Sequence, residues 1–158
     1  MFKVGDKVVY PMHGAGVIEA IEEKEVLGDI RRYYIMKIPC GDMKVMVPMD
    51  NIEEIGLREV IDADGVSKVI SILKDKETDM SNNWSRRYRT NMDKIRSGSI
   101  YEVAEVVRNL SIRDRDKGLS TGERKMLDNA RQILVSELVL AQEAQEDHVI
   151  LMLDKLFA

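Results

Sequence analysis

The sequence predicts an α+β chain in two domains: a small N-terminal β-barrel over residues 1–55 and an all-α bundle over residues 56–158. Three observations predict it. Short runs of β-branched and aromatic residues, separated by glycine-bearing breaks, fill the first 55 positions. Beyond Asp64 the apolar residues recur at helical spacing. No proline follows Pro48, so nothing in the second part interrupts a helix.

Four or five short strands are expected, among them Lys7 to Pro11, Gly16 to Ile21, Arg32 to Ile38 and Lys44 to Pro48. Turns are expected at His13-Gly14-Ala15-Gly16, Leu27-Gly28-Asp29 and Cys40-Gly41-Asp42. So few short strands cannot cover both faces of an open sheet, which favours a curled barrel. The domain boundary falls between Asn51 and Asp64, where alternation stops.

In the second part Asp64 can cap a helix whose apolar positions are Val66, Val69, Ile70 and Leu73. Asn82 or Asn83 can cap the next, from about Trp84 to Arg96, ending near Ser97-Gly98. Ser99-Ile100-Tyr101-Glu102 and Ser120-Thr121-Gly122-Glu123 both fit the capping box. A last helix is expected from Asp147 to Leu156, making four or five in all.

With 44% hydrophobic and 33% charged residues, the 158-residue chain should be globular. It has no apolar run near the roughly 20 residues of a membrane span and no signal-peptide core at its start, so a cytoplasmic protein without a membrane role is expected. The single cysteine, Cys40, excludes an internal disulfide framework. Catalytic and cofactor signatures are missing as well. His13 and His148 are far apart, Cys40 has no second thiol, and Gly14-Ala15-Gly16 lacks the rest of a phosphate loop. The expectation is a non-enzymatic protein with no metal and no cofactor.

The net charge of −4 is unevenly spread. Residues 81–131 carry 12 basic and 7 acidic side chains, whereas every other block is net acidic. That basic block opens with the only tryptophan, in Ser81-Asn82-Asn83-Trp84-Ser85-Arg86-Arg87-Tyr88-Arg89. An indole among arginines at a helix start can hold phosphates while pressing a flat ring against bases. Equally, a lone tryptophan can anchor a core beneath a solvated basic face. The candidate DNA-binding set is Trp84, Arg86, Arg87 and Arg89, joined by Arg124 and Lys125 if the bundle brings two helix starts together.

The opening Phe2-Lys3-Val4-Gly5-Asp6-Lys7-Val8-Val9-Tyr10-Pro11-Met12-His13-Gly14 resembles the N-terminal signature of the CarD/CdnL family of bacterial transcription regulators. Asn83-Trp84-Ser85-Arg86-Arg87-Tyr88 resembles its DNA-binding segment, and Gly118 to Leu134 its later helices. The resemblance implies a Tudor-like barrel that binds the RNA polymerase β subunit. It also implies a helical domain on promoter double-stranded DNA, with the tryptophan wedged into the minor groove at the upstream edge of the −10 bubble. Trp84 then takes the wedge role, and Arg86, Arg89 and Arg124 match backbone-contacting positions. On the polymerase side Lys24 stands where the family can carry arginine, with Glu25 and Val26 beside it, and Met46 replaces a second arginine. The function so implied is stabilisation of the open promoter complex. The alternative is an interaction adaptor whose basic Trp84 patch meets an acidic protein. A monomer is expected, with a domain-swapped dimer as the other option.

Overall fold

The computed structural model describes residues 2–39 and 42–158; the turn expected at Cys40-Gly41 lies outside the described residues. Strands β1 (Lys7–Tyr10), β2 (Gly14–Val26), β3 (Asp29–Ile38), β4 (Met43–Pro48) and β5 (Arg58–Glu59) form one antiparallel sheet in the order β4-β3-β2-β1-β5. A 3-10 turn (Met49–Asn51) and the one-turn helix α1 (Ile52–Ile55) stand before β5. The bundle contains α2 (Ala63–Lys74), α3 (Trp84–Arg96), α4 (Ile100–Asp116), α5 (Thr121–Gln142) and α6 (Glu146–Leu156).

The sheet does not close into the expected barrel. Closure would pair β4 with β5, and no such pairing occurs among the described residues. The two-residue β5 is spent on β1. Met49, Ile52 and Ile55 from the turn and α1 cover the core of Val8, Ile18, Tyr34, Met36, Ile38 and Val47 instead. A second, larger core runs through the bundle, around Val69, Val107, Leu110, Leu134 and Leu138.

The turn expected at residues 13–16 is displaced. It occupies Pro11 to His13, where His13 N donates to Tyr10 O, and Gly14 to Gly16 already pair with β1. Strand β2 also runs well past Ile21, with a bulge at Glu19, because ladder pairing to β3 carries its charged end. That end and the start of β3 form an exposed ribbon closed by Leu27-Gly28. Both turn residues have positive φ, 54° and 85°, as a two-residue hairpin with the right twist requires.

Polar contacts dock the two parts through α5, beside the apolar packing of Val9 and Ala15 on Leu140. Ala15 N donates to Ser136 Oγ, Lys7 Nζ donates to Leu140 O, and Arg58 pairs with Glu137. Among the described residues no helix is long and apolar enough to cross a membrane.

Candidate nucleic-acid interface

Helix α3 starts where the sequence suggested. Asn83 is the N-cap, and its side chain accepts from Arg86 N at 3.0 Å. Its buried residues are Arg87, Asn91 and Ile95, spaced four apart, so one stripe faces the bundle. Trp84, Arg86 and Arg89 lie off that stripe and are exposed.

Trp84 is 44% exposed, a high value for the sole tryptophan of a folded chain. Its ring is nevertheless fixed. Nε1 donates to Ser120 Oγ at 2.9 Å, and Tyr88, one turn on, stacks with centroids 5.1 Å apart and planes tilted by 23°. Gly122 lies against the benzo edge, where an added Cβ would stand 3.4 Å from Cζ2. The indole is thus seated on the first turn of α5, with much of it open to solvent.

That seat joins the two helix starts. Ser120 caps α5 by accepting from Glu123 N, and Arg124 and Lys125 follow on the exposed side of the same turn. Arg86, Arg89 and Lys125 make no ion pair among the described residues. Arg124 does, donating from Nη2 to Asp114 Oδ1 at 3.1 Å.

Arg87 does not belong to this surface. It is 5% exposed and donates from Nε and Nη2 to the two carboxylate oxygens of Glu123, at 2.7 and 3.1 Å. Its Nη1 donates to Ser81 O at 3.1 Å. A guanidinium so engaged has no face left for phosphate, and its place on the inward stripe is the reason. These hydrogen bonds hold the Glu123 carboxyl below its ordinary range against the opposing effect of burial, and they raise Arg87.

Sequence reasoning missed Glu123 and Ser120 as parts of this site, although the capping pattern had flagged both. Among the described residues Glu123 does not accept from Ser120 N as a capping box requires; its carboxylate is held by Arg87 and by the Ser120 hydroxyl instead. The other expected box fails differently. Ser99 makes no side-chain cap, and its N–H is taken by Ser97 Oγ at 3.2 Å.

The candidate polymerase-facing residues lie on the sheet. Lys24 pairs with Arg31, and Val26 with Asp29, in the β2–β3 ribbon. Paired residues share a face, and the even-numbered residues of β2 from Ala20 to Val26 share it with Ile35 and, across β3, with Met46. Lys24, Val26 and Met46 therefore point to one side and Glu25 to the other. Val26, Leu27, Ile30 and Met46 are all exposed apolar side chains.

Fold and site define a Tudor-like sheet module joined to a helical bundle that carries one tryptophan–arginine face. Residues 68–154 match the model of the CarD C-terminal domain, and residues 2–61 match that of the CarD-like/TRCF RID domain. A putative transcription factor of Bacillus subtilis, YdeB, is 43% identical over 149 residues, covering 94% of this chain and 97% of that one. The solution structure of the 72-residue N-terminal domain of Myxococcus xanthus CarD is 37% identical, over 37% of this chain and 79% of that one, with a TM-score of 0.33. The chain belongs to the CarD family of transcription regulators.

Proposed function

We propose that this protein binds the RNA polymerase β subunit through its sheet module and promoter DNA through the α3–α5 face, stabilising the open complex. One observation carries the DNA part: the sole tryptophan is half exposed yet held by a hydrogen bond and a stacked ring, and Arg86, Arg89 and Lys125 make no ion pair among the described residues. A core anchor would be buried, and an incidental surface ring would not be pinned on an edge and a face. A fixed aromatic wedge replaces stacking lost where the duplex opens, so it favours the opened form over the closed one. A preference of about 1.4 kcal/mol changes that equilibrium tenfold.

On the polymerase side the reading is supported by the exposed β2–β3 ribbon and by the second edge at β4. Backbone groups beyond Ile18 on the outer side of β2, and along β4, are available for an added strand. With Met46 in place of a charge, docking depends on Lys24 and on the apolar residues of the ribbon.

The test is the lifetime of polymerase open complexes with the wild-type protein and with Trp84→Ala. A substantially shorter lifetime with the folded variant is expected. An unchanged lifetime rejects the wedge, and crosslinks from this face to protein rather than DNA would favour the adaptor reading.

A further inference from the structure

We propose that Ser120 is a positioning residue for the Trp84 wedge, holding the indole by its N–H edge in the orientation that meets opened DNA. The proposal rests on the DNA-facing reading of Trp84 and adds the group that aims it.

The hydroxyl of Ser120 is used completely. Its oxygen accepts from Trp84 Nε1 at 2.9 Å and from Glu123 N at 3.2 Å, and its O–H donates to Glu123 Oε1 at 3.2 Å. One donor and two acceptor sites are all a hydroxyl has. Glu123 stays ionised under Arg87, so it accepts and does not donate. The Ser120 proton must therefore point at the carboxylate, leaving a lone pair for the indole. The carboxylate itself is fixed by the two hydrogen bonds from Arg87, which lies on α3 one turn from Trp84. The ring is thus tied back to its own helix through Ser120, Glu123 and Arg87, closing a loop between α3 and α5. Tyr88 covers a ring face and Gly122 supports the benzo edge.

Two consequences follow. The indole N–H is committed inside the protein, so Trp84 meets DNA with ring surface and not with a hydrogen bond to a base. A ring fixed before binding also loses less rotamer freedom on insertion than a mobile one.

Trp84 is the only tryptophan, so intrinsic fluorescence reports this ring alone. Ser120→Ala should lower its steady-state anisotropy and increase acrylamide quenching in the free protein, while Ser120→Thr keeps both near wild type. In open-complex lifetimes with RNA polymerase, Ser120→Ala should cause a several-fold loss that Ser120→Thr restores. Because Ser120 also caps α5, Trp84→Phe gives the control: it removes the N–H and leaves the cap intact. If Ser120 acts through the indole, Ser120→Ala adds little in a Trp84→Phe background. Unchanged fluorescence in Ser120→Ala overturns the proposal, as does an equal further loss in the Trp84→Phe background, which would assign the effect to the helix cap. A mobile ring with an unchanged lifetime, alongside a defective Trp84→Ala, overturns the positioning role while the wedge stands. If Trp84→Ala itself has a normal lifetime, the wedge fails, and the role of Ser120 with it.

Discussion

Arg58 reaches from β5 to Glu137 in the middle of α5, its Nη1 and Nη2 donating to the two carboxylate oxygens at 2.8 and 2.7 Å. The same guanidinium donates from Nε to Gly98 O, just beyond the end of α3, and Glu137 also accepts from Ile61 N. One ion pair thus joins the sheet, the helix that seats Trp84 and the end of the helix that carries it. Glu137 is fully buried, so Arg58→Ala would strand a carboxylate without its counter-ion. The expected loss is about 3 kcal/mol, the lower end of the range for breaking a buried pair because the Arg58 side chain is partly exposed. Thermal and denaturant unfolding will measure it. Arg58→Lys should lose less stability, but it cannot reproduce the two-pronged contact.

The second glutamate of α5 gives a pH dependence. Hydrogen bonds from Arg87 foremost hold Glu123 below its ordinary range, so the folded pKa is depressed. A depressed carboxyl contributes stability above the unfolded value, about 4.3, and loses it as pH falls through the folded value. The gap in melting temperature between wild type and Glu123→Gln should be widest near neutral pH and narrow in acid. A gap that widened on acidification would contradict the assignment.

Arg87 and Arg86 are neighbours with opposite expected phenotypes. Arg86→Ala should leave stability nearly unchanged and reduce the salt dependence of DNA binding, by a slope of about 1 for one lost phosphate contact. Arg87→Ala should instead destabilise the bundle, because Glu123 is left buried without its counter-ion. Unfolding curves and a salt titration on both variants separate the roles.

That contrast also shows what the sequence could reveal. The start of α3 was legible because Asn83 precedes a basic amphipathic run, and its end because Ser97-Gly98 breaks it. Arg87 departs from the expected surface because proximity in sequence to Trp84 does not mean sharing its face. Its spacing to Asn91 and Ile95 already put it on the inward stripe. The start of α2 was legible only to within two residues. Asp62 and Asp64 are equally good caps locally, and Asp62 is chosen because its carboxylate meets Gly65 N at 2.9 Å. Strand β5 was invisible, since two residues carry no periodicity and are held in the sheet by pairing with β1 and by Arg58. The missing barrel closure has the same origin. Pairing partners distant in sequence decide it, and alternation reports only which residues face inward.

Leu27 at the ribbon tip is fully exposed at positive φ, an unfavourable choice for a turn that asparagine or glycine would serve better. Leu27→Asn should therefore leave stability unchanged or improved. If the ribbon docks on polymerase, the same change removes a buried leucine from that interface, worth about 1.5–3 kcal/mol, and weakens binding tenfold or more. Pull-down or titration with polymerase, beside a melting curve, tests both halves of the expectation.

Asp114, near the end of α4, holds Arg124 at 3.1 and 3.4 Å, whereas Arg86, Arg89 and Lys125 have no such partner among the described residues. The pair is at the surface, so it contributes little to stability, about 0–1 kcal/mol. Its effect on DNA is expected to be larger, because a phosphate must compete with the carboxylate for the same guanidinium and also approaches a negative charge. Asp114→Asn removes both obstacles without changing shape. The variant should bind promoter DNA several-fold more tightly at low salt, with a steeper salt dependence and an unaltered melting temperature. Arg124→Ala should remove most of that gain, leaving only the part due to the lost negative charge, since Asp114 acts mainly through Arg124. If Asp114→Asn strengthens binding equally in the Arg124→Ala background, the gain comes from net charge alone, and Arg124 is not the contact that Asp114 restrains.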